Sequence, residues 1–441
     1  MARKLDKSNA HWKKAATRLP LGVASNFRYW GEERTIYVQS GRGARITDLD
    51  GNRYVDYRLG YGPAILGYAD PRVDEAAHKG MEVGGVFALS TEREYTVAQR
   101  ISKMVPAAEL VRFSNSGTEA VMAGLRLARG YTGRDDYIIL EGGYHGLFDA
   151  AMWYTPMEQW SQKGEPEVVP YSEGIPLGVR GYAHFVQAND INALEETFKR
   201  TAGRVACMLI EPIMGNCLGI AAEAEYLRAA RSLCDQYGVV LLFDEVKTGF
   251  RVARGGVQEL YGVKADLCTF AKAVANGYPI AVLAGREDIM RRLGRGVAHG
   301  GTYTAHSVSL AAAECCLQIL DETDALERIA DYGKRLIKGM SEILAERGIP
   351  HSFVGHPSML GLYFAAKPPR NYRDWKSSDY AFYDAMAQVL HDEGVLCEPD
   401  SREPWFVSAA HDESCLADTL RGFTIAVDAT LESRAPIRRS A

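Results

Sequence analysis

From about Pro71 to Ala325 short apolar runs alternate with helix-forming stretches, and this alternation restricts the fold more than any other feature of the chain. The runs in LVRFSNSG, DYIILEGG, VACMLIEPI, VVLLFDEV and ADLCTFAK read as strands, and TEAVMAGLRLARGYT and AEYLRAARSLCDQYG read as helices between them. Strands with no polar alternation have no wet face, so the pattern predicts an α/β domain whose mainly parallel sheet is covered by helices. Ahead of it, TIYVQSGRGARITDLDGNRYVDYRLG holds short β-like pieces, with Asp50-Gly51 as a hairpin signal. Behind it come two amphipathic helices, LERIADYGKRLIKGMSEILAERG and SSDYAFYDAMAQVLHDEG, and the strand candidates LGLYFAA and WFVSAAH. We expect a large domain over 71–325 and a small α+β domain assembled from 1–70 and 326–441.

Hydrophobic residues make up 47% of the 441 and charged residues 24%, the composition of a chain with a substantial core. A net charge of -5 with no basic concentration argues against nucleic acid as a partner. No stretch approaches the roughly 20 apolar residues of a membrane-spanning helix, and MARKLDKSNAHWKKAATRLP has no apolar signal core. The eight cysteines show no CxxC spacing, so reduced, core-packed thiols in a cytoplasmic protein are expected, and no metal site. The tail SRAPIRRSA is expected to fray.

The chemistry gathers at strand ends, where open parallel sheets bind ligands. LLFDEVKTGF, Leu241 to Phe250, is a strand-like run that stops in two carboxylates and a lysine. An unpaired buried charge costs several kcal/mol, so Asp244 predicts a cation near that strand end. In RFSNSGTEA a strand runs into a helix start, where free N–H groups, Ser116, Gly117 and Thr118 can cradle a phosphate. The same hydroxyls also suit simple N-caps. EGGYHG sets Tyr144 and His145 in a glycine-bracketed turn, where the Tyr144 ring can lie on a planar cofactor or cap a structural turn. FAKAVANGYP puts Lys272 near the end of another strand, where desolvation lowers a lysine's pKa and makes it a Schiff-base nucleophile. Aspartate, lysine and a Ser-Gly-Thr helix start are together the parts of a pyridoxal phosphate site, with Asp244 awaiting a protonated pyridine nitrogen.

On SNSGTEA, GGYHG, EPIMGN, DEVKTGFR, the lysine of FAKAVANG and GGTYTAH, the chain resembles the class-III aminotransferases of fold type I from about Leu19 to Thr430. Within them it is most similar to the glutamate-1-semialdehyde aminomutase-like branch. The resemblance implies pyridoxal 5'-phosphate as cofactor, Lys272 as Schiff-base lysine and proton shuttle, and Asp244 on the ring nitrogen. It places Val246 and Tyr144 on the two ring faces, His145 beside the cofactor, and Ser116, Gly117 and Thr118 on the phosphate. Thr302 would complete the phosphate site of a neighbouring subunit, which implies a homodimer. Glu211 and Asn216 match the EP…GN segment, with Asn216 a candidate partner for the cofactor's phenolic oxygen.

Two departures bear on the reaction. Lys247 stands where many class-III aminotransferases carry glutamine. Ala151 to Val179, with Trp153, Tyr154 and Trp160, is aromatic where the aminomutase has a Gly/Ser-rich gating loop. Arg28, in LPLGVASNFRYWG, is the candidate to grip a substrate carboxylate in a bidentate pair, unless it is a surface arginine in an exposed loop. Arg402 and Trp405 in PDSREPWFVSAAH are candidates for a second carboxylate or an apolar side chain. The expected reaction moves an amino group from an amino acid, a β-amino acid included, or an amine to a 2-oxo acid such as pyruvate or 2-oxoglutarate. The alternative is the aminomutase, or another pyridoxal phosphate-dependent isomerase or racemase.

Overall fold

The computed structural model describes residues 3–156 and 167–434. Its centre is a sheet of seven strands, labelled here in chain order: β1 (Leu110–Ser114), β2 (Asp136–Leu140), β3 (Ala183–Val186), β4 (Val205–Ile210), β5 (Val240–Asp244), β6 (Leu267–Phe270) and β7 (Ala281–Gly285). Their spatial order is β1-β7-β6-β5-β4-β2-β3, and β7 alone runs antiparallel to its neighbours. Strands β2 to β7 are buried along their whole length, as their unbroken apolar runs require. The five strands read from the sequence are all present, whereas β3 and β7 escaped notice. AHFV is only four residues long behind an irregular aromatic segment, and AVLAG is built largely of alanine and glycine, which carry little strand propensity.

Helix Gly117–Thr132 packs on one face of the sheet, where a Cβ at Gly124 would sit 2.9 Å from the Leu242 side chain of β5. That close contact draws the helix start up to the carboxyl ends of β5 and β6.

Both chain ends meet in a second sheet. Arg45–Asp48 and Arg53–Asp56 form the expected hairpin, turning through Gly51 at φ +89°, and Val395–Leu396 pairs in parallel with Arg53–Asp56. A third sheet joins Ser352–His356, Met359–Tyr363 and Trp405–Phe406. Arg251, in the loop after β5, ties these parts together without a carboxylate: it donates to the carbonyls of Ser358 (3.0 Å), Val407 (2.8 Å) and Gly62 (2.5 Å). The helix Glu413–Arg434 continues through Ser433 and Arg434, so the tail's first two residues do not fray. Arg434 pairs with Asp379, and 435–441 lie outside the described residues.

All eight cysteines are free thiols and seven are buried. Among the described residues no helix is long and apolar enough to cross a membrane, and no cluster of side chains is arranged to hold a metal.

A close backbone contact links the third sheet to the turn after β4. A Cβ on Gly361 would lie 1.9 Å from the Leu218 carbonyl oxygen. We expect Gly361→Ala to destabilise the fold by about 1–3 kcal/mol through overpacking, read as a lowered Tm, whereas an alanine at solvent-facing Gly178, with open space around it, should leave Tm unchanged.

Candidate active site

A cavity of about 250 Å³ opens at the carboxyl ends of β5 and β6, lined among others by Gly117, Thr118, Tyr144, His145, Glu211, Asn216, Asp244, Val246 and Lys272. Sequence-separated strand ends thus converge on one chamber.

Asp244 is the last residue of β5 and is almost fully buried. Its Oδ1 accepts from the Val246 amide at 3.1 Å and from Thr269 Oγ1 at 3.4 Å, and Oδ2 lies 2.8 Å from His145 Nδ1. A carboxylate only accepts, so the proton of that pair sits on Nδ1, and His145 fixes the carboxylate's orientation.

Lys272 follows β6 in a short 3-10 turn, at φ +51°, a left-handed conformation that costs a non-glycine residue about 1–3 kcal/mol. The turn is held in that state by buried Ala273, Val274 and Ala275. Asn276 adds to the hold: its amide accepts from the Leu66 N–H and donates to the Gly67 carbonyl, each at 2.9 Å. Among the described residues the Lys272 ammonium has neither hydrogen bond nor ion pair. Desolvation, and then the nearby Lys247 charge, lower its pKa from 10.5 to about 7, against the pull of Glu403, Glu211 and Asp244.

Ser116 is the N-cap of helix Gly117–Thr132: its Oγ accepts from the Glu119 amide at 3.3 Å, and it does not itself line the cavity. Its O–H remains a free donor. Gly117 must be glycine, since a Cβ there would meet Val246 Cγ1 at 2.9 Å. Thr118 Oγ1 accepts from the Leu147 amide at 3.2 Å. Glu211, whose pKa burial raises, receives the Tyr144 amide at 2.8 Å and the Gly215 amide at 3.0 Å, so it stitches two cavity loops together.

Thr302 is exposed on a loop and does not line the cavity of its own chain. Arg28 is exposed in the short turn Asn26–Arg28 and lines an adjoining cavity of about 390 Å³, which shares Phe27, Gly60 and Tyr61 with the central one. Among the described residues it has no anionic partner. Trp153 is buried, donates to the Ala150 carbonyl at 3.2 Å, and lines a side cavity of about 190 Å³ together with Tyr144, Tyr154, Tyr171, Tyr372 and Asn216. Trp160 lies outside the described residues.

Arg402 reaches the side cavity with its charge already met, Nε lying 3.0 Å from both oxygens of Asp400. Trp405 is not at a pocket edge: it is buried in the third sheet, where its indole donates to Tyr383 OH at 2.9 Å, because the neighbouring Phe406 and Val407 draw the segment into the core. Phe27, Tyr61 and Glu403, which also line the central cavity, were not foreseen. Tyr61 had a local signal, its place between two glycines in LGYGPA with φ +71°, whereas Glu403 had none.

These residues fit pyridoxal phosphate. A glycine-lined helix start suits the phosphate, a buried carboxylate with fixed orientation suits the pyridinium, and an unpartnered lysine of low pKa suits the aldehyde carbon. Residues 29–419 match the aminotransferase class-III family. The chain is 38% identical over 418 residues, 94% of its length and 97% of the relative's, to glutamate-1-semialdehyde 2,1-aminomutase of Methanothermobacter thermautotrophicus. Among solved structures it is similar to an omega-transaminase from Sphaerobacter thermophilus (TM-score 0.91, 30% identity, 96% and 97% of the two chains). It is also similar to a transaminase with PLP bound (TM-score 0.88, 29% identity, 98% and 99%). The chain belongs to the class-III aminotransferases and is a pyridoxal phosphate-dependent enzyme of fold type I.

Proposed function

We infer that this enzyme is an aminotransferase acting on a carboxylate-bearing amino acid, with β-amino acids in its range, or a related amine, and delivering the amino group to a 2-oxo acid such as pyruvate or 2-oxoglutarate. The observation that carries this reading is the aromatic side cavity of Trp153, Tyr154, Tyr171 and Tyr372, which adjoins Tyr144 and offers room for a bulky side chain. When bound, pyridoxal phosphate supplies an electrophilic carbon for the amine and an electron sink for the pair left by proton removal.

The chain's own residues do the rest. Lys272 would offer a neutral amine near pH 7 to the cofactor carbon, and would act on the substrate proton as a base. Asp244, oriented by His145, would pair with the ring nitrogen. Val246 and Tyr144 would wall the ring, Ser116, Gly117 and Thr118 would hold the phosphate, Glu211 fixes the loops, and Asn216 would serve the phenolic oxygen. Thr302 serves the phosphate site of a second copy in a homodimer. Support for that dimer comes from the exposed apolar side chains of Phe87, Leu89 (83% exposed) and Tyr303 (64%), on the two segments joined by the Ser307 N–H to Gly85 carbonyl bond. The same reading keeps a small unit of 1–70 and 326–441 beside a large one of 71–325, supported by the Val395–Val55 pairing. Buried free thiols support a cytoplasmic setting.

Arg28 is the carboxylate grip, and Arg402 a rim residue whose charge Asp400 already balances. Arg28→Ala should lower kcat/KM for carboxylate-bearing donors by roughly 10–100-fold, the loss of a charge-assisted pair, while simple amines change little. An unchanged ratio between the two donor classes would exclude the grip.

The lowered pKa of Lys272 has a measurable consequence. Only the neutral amine attacks, so capture of pyridoxal phosphate by the apo-protein should accelerate through pH about 7 and level off above it. A rise near 10.5 instead would show an ordinary lysine.

The second reading, glutamate-1-semialdehyde 2,1-aminomutase, is favoured by the name of the 38%-identical relative. A panel of α-amino, β-amino and simple amine donors, mixed in single turnover with the loaded enzyme, separates the two. Loss of the cofactor's visible absorbance with one equivalent of released oxo product supports the transaminase. No release from any donor, with glutamate 1-semialdehyde converted to 5-aminolevulinate, supports the mutase.

A further inference from the structure

Gly215 and Lys247 are fitted to one another. A Cβ on Gly215 would lie 2.0 Å from Lys247 Cδ, so only glycine leaves a path for the lysine stem behind the turn after β4. Along that path Lys247 Nζ reaches the Gly215 carbonyl at 2.8 Å, Asn216 Oδ1 at 2.6 Å and the Glu403 carboxylate at 2.9 Å. An ammonium has three donors and no acceptor. All three are therefore engaged, and Asn216 can meet Lys247 only through its carbonyl oxygen. The amide end Nδ2 is left over, and Asn216 lines both the central and the aromatic cavity.

We propose that Lys247 is a positioning residue that locks the Asn216 amide with its NH2 toward the cavity, as a hydrogen-bond donor to the cofactor's phenolic oxygen. This rests on the role given to Asn216 above. An amide without the lock can turn over and present its oxygen, which a phenolate repels. Glu403 balances the ammonium, so the lock adds no net charge to a chamber already holding Lys272, Asp244, Glu211 and His145, with Tyr61 and Tyr144 on its wall.

The test uses the holoenzyme and reads the pH midpoint of the bound cofactor's visible absorbance. A donor to the phenolic oxygen stabilises the deprotonated form, so its loss raises the midpoint. Lys247→Met should move it up by about one pH unit, and Lys247→Gln, which keeps a donor but gives up the charge that lowers the Lys272 pKa, should move it up by clearly less. The Lys247→Met shift should shrink to the Lys247→Gln value in an Asn216→Ala background, since two residues acting as one unit are non-additive. Gly215→Ala, which expels the lysine stem with every functional group intact, should reproduce the Lys247→Met shift and serves if that variant does not load cofactor.

Equal shifts in Lys247→Met and Lys247→Gln, or a Lys247→Met shift that persists undiminished in the Asn216→Ala background, would mean that charge alone acts and would overturn the proposal. Asn216→Ala with a wild-type midpoint would remove the Asn216 role itself, a failure distinguishable from failure of the lock.

Discussion

Replacing Lys272 with alanine should lower kcat by about 10⁴-fold or more, because in the proposed function one side chain would supply both the nucleophile and the proton carrier, and general acid–base catalysis alone contributes roughly 10²–10⁴. The loss should not come from unfolding. Alanine meets the φ of +51° at a strain similar to that of lysine, and the turn's anchors at Asn276 and the buried residues 273–275 are untouched. The folded state also depresses the lysine's pKa from 10.5 to about 7, so the unfolded chain holds more protons between those values. The group's contribution to stability therefore rises with pH across that window and is unfavourable below it. Apo Lys272→Ala should accordingly melt no lower than wild type at pH 7. Borohydride reduction followed by peptide mass analysis should find cofactor on the Lys272 peptide of the wild type and on no peptide of the variant, with cofactor still retained non-covalently by the helix start. Turnover at the wild-type rate would refute the assignment.

Asp244→Asn should cost less but still much. Asparagine keeps the size of the side chain and an oxygen for the Val246 amide, yet removes the charge that, in the proposed function, would meet a pyridinium. Breaking a buried charge pair on one side costs about 3–5 kcal/mol, so kcat should fall roughly 10²–10⁴-fold while the cofactor stays attached to Lys272. The same borohydride assay checks the attachment. An Asp244→Asn enzyme within a factor of two of wild type would exclude the pairing.

The residues of the chamber were legible where chemistry sits on a strand end. Asp244, Lys272, the Ser116–Thr118 turn and the Tyr144–His145 turn each follow an apolar run, and a parallel sheet carries all such ends to one edge. What lies off that edge was hidden. Glu403 comes from an irregular segment near the chain's other end, next to the candidate Arg402, and packing of the third sheet against the turn at Leu218 brings that segment in. Phe27 and Tyr61 enter from the N-terminal part, where the Tyr61 hydroxyl donates to the Phe27 carbonyl at 2.7 Å. Trp405 was misplaced because an aromatic at a pocket edge and one in a core look alike in sequence, and burial decides between them. The Asp244–His145 pair shows a different limit. Both residues stood out, but the cation expected for Asp244 was a ligand's, and the 2.8 Å contact with the imidazole follows only from the fold of the loop after β2. Lys247 was visible as a departure, but its path past Gly215 is a matter of one missing carbon.

The central claim is that the amino group leaves one molecule for another, and following the nitrogen tests it most directly. A ¹⁵N-labelled β-amino acid donor turned over with unlabelled pyruvate should yield ¹⁵N-alanine in step with the oxo product of the donor. If none of a set of labelled donors passes ¹⁵N to pyruvate or 2-oxoglutarate, while glutamate 1-semialdehyde is isomerised with no oxo acid released, the transfer reading is contradicted and the chain is a mutase.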